Sequence, residues 1–276
     1  MPTHTSTESI KCDQSPRQGG PVTPPDSFYD AAHFEHLFAV EHRHAWFRAR
    51  NELIGELAAG FTDRFVDGFL VLEVGCGTGA VLQVLEQSCA RGHVVGMDVH
   101  HAGLRFARQR TASPLVVGDA TTPPFGRTFA LVGLYDVIEH LPDDRGVLEQ
   151  MHELLVPGGG LMLTVPADPA LWSYFDVASQ HVRRYELEEL HEKLSTAGFT
   201  VEYATYFMTA LRPLLWAYRR LLSAVPSSQS VERDLRTVPV VNELLYWILT
   251  RERSAIRARR ELQTGTSILA IARQAE

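Results

Sequence analysis

The chain has 276 residues, 45% hydrophobic and 21% charged, enough apolar material for one large globular core with additions. Its formal charge of −7 argues against nucleic acid as a partner of the main domain, and the three cysteines, Cys12, Cys76 and Cys89, show no spacing that suggests a disulfide framework. No apolar run reaches the length of a membrane span and no apolar signal core opens the chain, so a reducing cytoplasm is the expected setting.

Residues 1–26 are rich in Ser, Thr, Pro, Gly and Gln and are expected to be disordered. From residue 28 the composition changes. Phe34, Leu37, Phe38, Ala45, Ala49, Leu53, Ile54 and Leu57 fall near helical spacing, which predicts a helical segment over 28–60. His33, His36, His42 and His44 lie in it without an acidic or cysteine partner at ligand spacing, and no metal ligands are assigned.

The stretch Val71-Leu72-Glu73-Val74-Gly75-Cys76-Gly77-Thr78-Gly79 reads as a buried strand, a tight glycine turn and a helix start. Thr78 is the expected cap, and Val81, Leu82, Val84 and Leu85 are the helix's apolar positions. The spacing is G-x-G-x-G and not the dinucleotide G-x-G-x-x-G, because Ala80 and Val81 follow Gly79. Glu73 would repel a pyrophosphate and suit a cationic ligand. The next apolar run, 93–98, ends in Asp98, where an acceptor for a ribose diol is expected.

Strands over 70–74 and 93–98, with helices near 78–90 and 101–111, give the alternation of a parallel sheet. Leu115–Ala120 is a short strand ending at Asp119, and 129–135 is the fourth strand, closed by Tyr135. At its carboxyl end, where open α/β sheets bind ligands, stand Asp136, Glu139 and His140. Their spacing puts them on one face of the helix they are expected to begin. A helix through Val147, Leu148, Met151, Leu154 and Leu155 is stopped by Pro157-Gly158-Gly159-Gly160 ahead of a strand over 161–166. Gln180–Tyr185 leads into a helix through Leu187, Leu190 and Leu194, so His181 is placed to face a substrate.

The sixth strand, 199–206, precedes a helical insertion over 208–260. Leu211, Leu214, Leu215, Tyr218, Leu221 and Leu222 form one stripe in it, and Val241, Leu244, Leu245, Ile248 and Leu249 another. Residues 212–260 hold ten arginines against four acids on an otherwise acidic chain. With Trp216, Tyr218, Tyr246 and Trp247 on or beside the stripes, that composition fits an interfacial helix on an anionic leaflet, or a cap or dimer interface. Residues 266–272 supply the last strand.

These features together resemble the class I S-adenosylmethionine-dependent methyltransferases over about residues 28–208. The carriers are the glycine loop with Glu73, Asp98, the Asp119-Ala120 pair and the helix, Pro-Gly-Gly, strand order. Asp136-Val137-Ile138-Glu139-His140 is similar to the E-x-x-E-H motif of the quinone-biosynthesis O-methyltransferases, with Asp136 in place of the first Glu; in some of those enzymes the motif is linked to a divalent cation. His181–Tyr185 resembles the H-x-R-x-Y segment of the same group.

The resemblance implies one α/β domain over 27–276, a doubly wound, Rossmann-like, seven-stranded and mostly parallel sheet whose last strand is antiparallel. It implies S-adenosyl-L-methionine as cofactor. Gly75, Cys76, Gly77 and Gly79 would lie under its methionine part, Asp98 would hold the ribose hydroxyls beside Val99, Asp119 would accept from the adenine amino group with Ala120 at its backbone, and Tyr135 would line the site. Residues 28–60 would form a lid with Tyr29 or Trp46 stacking on the cofactor. The implied activity is methyl transfer to a small-molecule or lipid-linked acceptor at oxygen, with His140 as base among Asp136, Glu139 and His181. The alternatives are transfer to nitrogen or carbon, and a non-catalytic module that binds the cofactor. Peripheral membrane contact or a homodimer through 208–260 is the expected role of the insertion.

Overall fold

The computed structural model describes residues 31–222 and 238–274. The tail over 1–26, Tyr29, and the side chains of Tyr218, Leu221 and Leu222 lie outside the described residues.

The sheet is built around β4 (Phe129–Tyr135), buried at every position because helices cover both of its faces. On one side β4 pairs in parallel with β1 (Leu70–Val74), β1 with β2 (His93–Asp98), and β2 with β3 (Leu115–Val117) at the edge. On the other it pairs with β5 (Leu155–Pro166). β7 (Ser267–Gln274) runs antiparallel between β5 and β6 (Phe199–Phe207), giving seven strands in the order β3-β2-β1-β4-β5-β7-β6. The expected α/β fold is the observed one. The expected bounds of the first, second and fourth strands also coincide with the structure, since each is a short apolar run cut off by turn residues.

Period-2 alternation divides the core. Val71, Leu131, Met162, Leu269 and Ile271 point to α2 (Ala45–Thr62) and α3 (Ala80–Ser88), against Leu53, Ile54, Leu57, Phe61, Leu82 and Leu85. Leu72, Val132, Leu134, Leu163 and Ile268 point the other way, to Val147, Leu148 and Met151 of α5 (Asp144–Leu154) and Leu190 and Leu194 of α7 (Leu187–Thr196). Phe61 is fully buried and lies across bare Gly160, where a Cβ would collide with its ring. Truncating a buried Phe of this kind typically costs about 3–5 kcal/mol.

Four local expectations are corrected. The N-terminal helix is two helices, α1 (Ala31–Val40) and α2, because Glu41–His44 turn between them. His44 Nδ1 accepts from Trp46 N at 3.3 Å, and Asn242 Oδ1 accepts from Ala45 N at 2.8 Å, so distant residues satisfy the new helix end. Thr78 does not cap α3. That position is taken by Gly79 in the left-handed region at φ 78°, and the Thr78 hydroxyl donates instead to Glu41. The residues after β4 form a 3-10 turn, Ile138–His140, and α5 begins only at Asp144, with the Asp143 side chain accepting from Gly146 N at 3.0 Å. Finally, β5 starts at Leu155 and runs through Pro157–Gly160, with a register shift against β4 between Phe129 and Leu131.

α4 (His101–Ala107) packs against α1, and α6 (Tyr174–Ala178) lies between β5 and α7 in the chain. The insertion contains α8 (Leu211–Leu222), α9 (Pro239–Thr250) and α10 (Arg253–Arg257), with α9 packed on α2. Among the described residues no helix is long and apolar enough to cross a membrane.

Candidate active site

The carboxyl ends of β1, β2 and β4 meet at the glycine loop. Gly75 N and Cys76 N both donate to Met97 O, at 2.8 and 3.0 Å, which folds the loop back onto β2. Gly75, Gly77 and Gly79 all have positive φ, at 73°, 49° and 78°, so the alternating glycines are a backbone requirement. Asp98 closes β2 with both oxygens engaged. Oδ2 accepts from Gly77 N at 2.8 Å and Oδ1 from His100 N at 2.7 Å. Burial pushes its carboxyl up against the pull of those two amides. Each oxygen keeps a second lone pair for a ligand hydroxyl.

Glu73, at the end of β1, is 3% exposed and its Oε2 has no hydrogen-bond partner. Burial pushes its carboxyl well above the usual range, only partly offset by Arg50. Beside it in β4 is Gly133, and the Tyr135 ring folds over that missing side chain. The Tyr135 hydroxyl is buried and also lacks a partner. A buried carboxylate and phenol left open next to a left-handed glycine loop fit a cationic group of a bound ligand. Cys76 is buried, and burial raises its thiol, so it lines the loop without reactivity. Along the β2–β3 end, Val99 is 51% exposed, Ala120 is half-buried, and exposed Asp119 forms a turn, its Oδ1 accepting from Thr121 N and Oγ1, both at 2.8 Å.

Asp136, at φ 58°, stands apart from the group expected after β4. It is ion-paired with Arg50, which reaches over from α2 and lies 4.7 Å from the Trp46 ring centroid. What the fold brings together is Glu139, His140 and His181, whose ligand atoms all lie within 4.8 Å of one another. The single face expected for Asp136, Glu139 and His140 is lost because a 3-10 turn replaces the helix. Glu139 is fully buried with neither carboxyl oxygen partnered, and burial followed by nearby Asp136 pushes it well above the usual range, toward the neutral acid. His140, hydrogen-bonded to the backbone of Ser179 and Gln180, is pulled down to about 4, first by burial and then by His181. The two rings meet edge to face at 4.8 Å.

His181 is held from behind. Its Nδ1 lies 3.0 Å from Oδ1 of Asp176, which is fully buried and also accepts from Arg184 Nε at 2.7 Å and Ser173 N at 2.8 Å. Burial raises Asp176, but the bonds from His181 and Arg184 outweigh it and hold the carboxylate at about 2. An ionised Asp176 accepts Nδ1–H and leaves the His181 lone pair on Nε2. Two imidazole nitrogens, from His140 and His181, and the Glu139 carboxyl at this separation could also hold a divalent cation.

The N-terminal helices have their own anchors. Glu41 accepts from the Thr78 hydroxyl and from Arg110 Nη1 at 2.6 Å, and Arg110 also donates to Phe38 O at 2.7 Å. Phe34 is buried against Gly77 and Gly103, where a Cβ on Gly103 would sit 2.9 Å from its ring. Trp46 packs on Phe47 and Arg50 beside the site. Sequence reading missed Arg50, Glu41, Arg110 and Asp176. Their partners are 86, 37, 69 and 5 residues away, and only the Glu41–Arg50 stretch carried any signal, its density of aromatic and arginine side chains.

Residues 41–204 match the family described as Methyltransferase domain. Among curated proteins, the chain is 33% identical over 110 residues to the demethylmenaquinone methyltransferase of Staphylococcus epidermidis, covering 38% of this chain and 46% of the relative. It is 38% identical over 110 residues to the aklanonic acid methyltransferase DauC of Streptomyces sp., covering 37% and 50%. It is 28% identical over 166 residues to the ubiquinone biosynthesis O-methyltransferase of Hahella chejuensis, covering 54% and 68%. The chain thus spans about half the length of the first curated relatives it matches. Among solved structures, the methyltransferase partner in the Haloferax volcanii Trm112 activator complex superposes with a TM-score of 0.61 at 20% identity, over 92% of this chain and 100% of that one. Phosphoethanolamine N-methyltransferase 2 of Haemonchus contortus, solved with S-adenosyl-L-methionine, gives 0.57 at 16% identity, over 91% and 59%. At these identities the two structures speak for the fold. The family match covers more than half of the chain, and the loop geometry, the open Glu73 carboxyl and Asp98 agree with it: the chain belongs to the methyltransferase-domain family and has the α/β fold of class I S-adenosylmethionine-dependent methyltransferases.

Proposed function

We propose that the enzyme methylates a hydroxyl of a small-molecule or lipid-linked acceptor, with His181 taking the proton. The observation that carries this reading is the buried Asp176 carboxylate behind His181, beside His140 and Glu139, at the carboxyl end of β4. The cofactor, when bound, supplies a methyl group on a sulfonium, and the remaining work falls to the protein. Gly75, Gly77 and Gly79 let backbone approach the methionine part, Glu73 faces its positive charge, Asp98 accepts from the ribose hydroxyls, and Asp119 with Ala120 meets the adenine. Asp176 fixes the His181 tautomer, so Nε2 points its lone pair at the acceptor hydroxyl. Glu139 as a neutral acid and His140 as a neutral imidazole add no charge that would hold that proton back. Lid residues Phe34 and Trp46 exclude water, which favours an in-line transfer governed by positioning.

Names of relatives support the acceptor class: they act on menaquinone and ubiquinone precursors and on aklanonic acid. The net charge of −7 speaks against nucleic acid. The setting is cytoplasmic, with contact to a membrane surface.

Labelled S-adenosylmethionine with a metabolite extract, followed by mass spectrometry, identifies the product. With that acceptor, His181→Ala and Asp176→Asn should each lower kcat by roughly 10²–10⁴ while cofactor affinity is retained. Asp176→Glu should recover part of the rate. Normal turnover in both of the first variants would remove His181 as the base. A second reading rests on the 4.8 Å grouping of Glu139, His140 and His181: those residues hold a divalent cation that orients the acceptor. Loss of activity in a chelator, restored by Mg²⁺, would favour it.

A further inference from the structure

α9 is apolar on two opposite faces, and only one of them is covered. Its inward face carries buried Asn242 and Leu249, with Leu245 and Tyr246 packed on the core. That face is fixed to the lid. Asn242 accepts from Ala45 N and donates through Nδ2 to Arg43 O at 2.7 Å, spanning the turn between α1 and α2. Tyr246 donates to Glu52 at 2.8 Å, and Glu243 pairs with Arg48. The outward face is Val240, Val241, Leu244, Trp247 and Ile248, which recur at helical spacing along one stripe. Val240 is 81% exposed, Leu244 61% and Trp247 67%. Exposed Arg251 continues this stripe at its C-terminal end.

We infer that this face of α9 is a docking surface for an anionic lipid leaflet, with Leu244 and Trp247 entering the acyl boundary and arginines meeting the headgroups. Charge complementarity selects that occupant. Residues 212–260 carry ten arginines and four acids, whereas the chain as a whole is at −7. At the stripe's end Arg251 is exposed, and Arg260 is exposed further along the chain, while Glu243 and Glu252 are turned to Arg48 and to the backbone of Met208 and Thr209. An apolar stripe with an exposed Trp, edged by arginine, is the composition of a helix lying in the membrane interface. A second copy fits less well. One twelve-residue helix face offers roughly 200 Å² at ~1.5 Å rise and ~10 Å width, against ~800 Å² per partner in a stable dimer. Because Asn242 and Tyr246 tie α9 to the lid, docking would hold the lid side of the site at the leaflet. This inference is independent of which acceptor atom is methylated.

The test uses the full chain with vesicles of phosphatidylglycerol, of phosphatidylcholine alone, and of their mixture, at low and high salt. Flotation should carry the protein with phosphatidylglycerol at low salt and release most of it at high salt or on phosphatidylcholine. The double variant Leu244→Glu, Trp247→Ser should bind at least about tenfold more weakly, and both side chains are exposed, so circular dichroism and melting should be unchanged. Arg251→Glu should weaken binding without touching the apolar stripe. No flotation in any mixture overturns the proposal. So does light scattering that shows a dimer at working concentration which the double variant splits into monomers, because the face is then an interface between copies. Neither readout depends on methyl transfer, so the failure of the acceptor assignment and the failure of docking are distinguishable.

Discussion

At the residue scale, Asp98 has two duties. It accepts from Gly77 N and His100 N, and so sets the loop, and in the proposed assignment its remaining lone pairs accept from the cofactor's ribose. Charge-assisted hydrogen bonds of this kind are worth about 1.5–3 kcal/mol, so Asp98→Ala should weaken S-adenosylmethionine binding by that amount in calorimetry. Unchanged affinity would remove Asp98 from the site. Its position was legible in the sequence because the glycine spacing and the end of an apolar run are local signals. Glu73, Gly75, Gly77 and Gly79 were legible for the same reason. Asp176 was not: an aspartate five residues before a histidine is unremarkable as a string, and its meaning comes from being fully buried with Arg184 and Ser173 around it. Asp136 was legible as part of a motif, but its partner Arg50 lies on another helix, so sequence spacing assigned it to the wrong group.

At the scale of elements, strands were easier to read than helix ends. An apolar run bounded by turn residues defines a strand by itself, whereas the break between α1 and α2 depends on Asn242, nearly two hundred residues away. His44 shows what that break requires. Its Nδ1 must be unprotonated to accept from Trp46 N. Burial lowers the His44 pKa from its ordinary 6.5, so below that value the unfolded helix end binds more protons than the formed one. Stability of this helix end is therefore full at pH 7.5 and falls as the pH drops below 6.5 toward the lowered native value. Hydrogen exchange at the amides of Trp46, Phe47 and Arg48, corrected for intrinsic rates, should show less protection at pH 5.5 than at 7.5, and His44→Asn, a cap without that titration, should flatten the difference. Equal protection in native protein at both values would mean that the imidazole does not hold the helix end.

At the scale of the whole molecule, the sheet decides which ligand charge the site accepts. Parallel β1, β2 and β4 end side by side, so Glu73 of β1, Asp98 of β2, and Asp136 and Glu139 just past β4 come to the same end of the sheet from three separate stretches of the chain. Among the described residues facing them, Arg50 from α2 is already committed to Asp136. Burial first, and then the neighbouring carboxylates, raise the Glu73 and Glu139 carboxyls, so the site gains by taking in positive charge. A sulfonium ligand supplies that charge, while a dinucleotide pyrophosphate adds two more negative charges to an enclosed region where they are poorly screened. The difference should be visible as ligand-dependent stability. At a hundred times its dissociation constant, a ligand that binds only the folded state adds ~2.7 kcal/mol, which for a chain of this size raises the melting temperature by roughly 5–10 °C. S-adenosylmethionine should produce such a shift and NADH should produce none at millimolar concentration. Glu73→Gln, which keeps the shape of the side chain but not its charge, should lower the affinity for S-adenosylmethionine more than that for uncharged-sulfur S-adenosylhomocysteine. Equal losses for the two ligands would show that Glu73 does not sense the sulfonium, and a melting shift with NADH would show that the carboxylates leave the site open to a pyrophosphate.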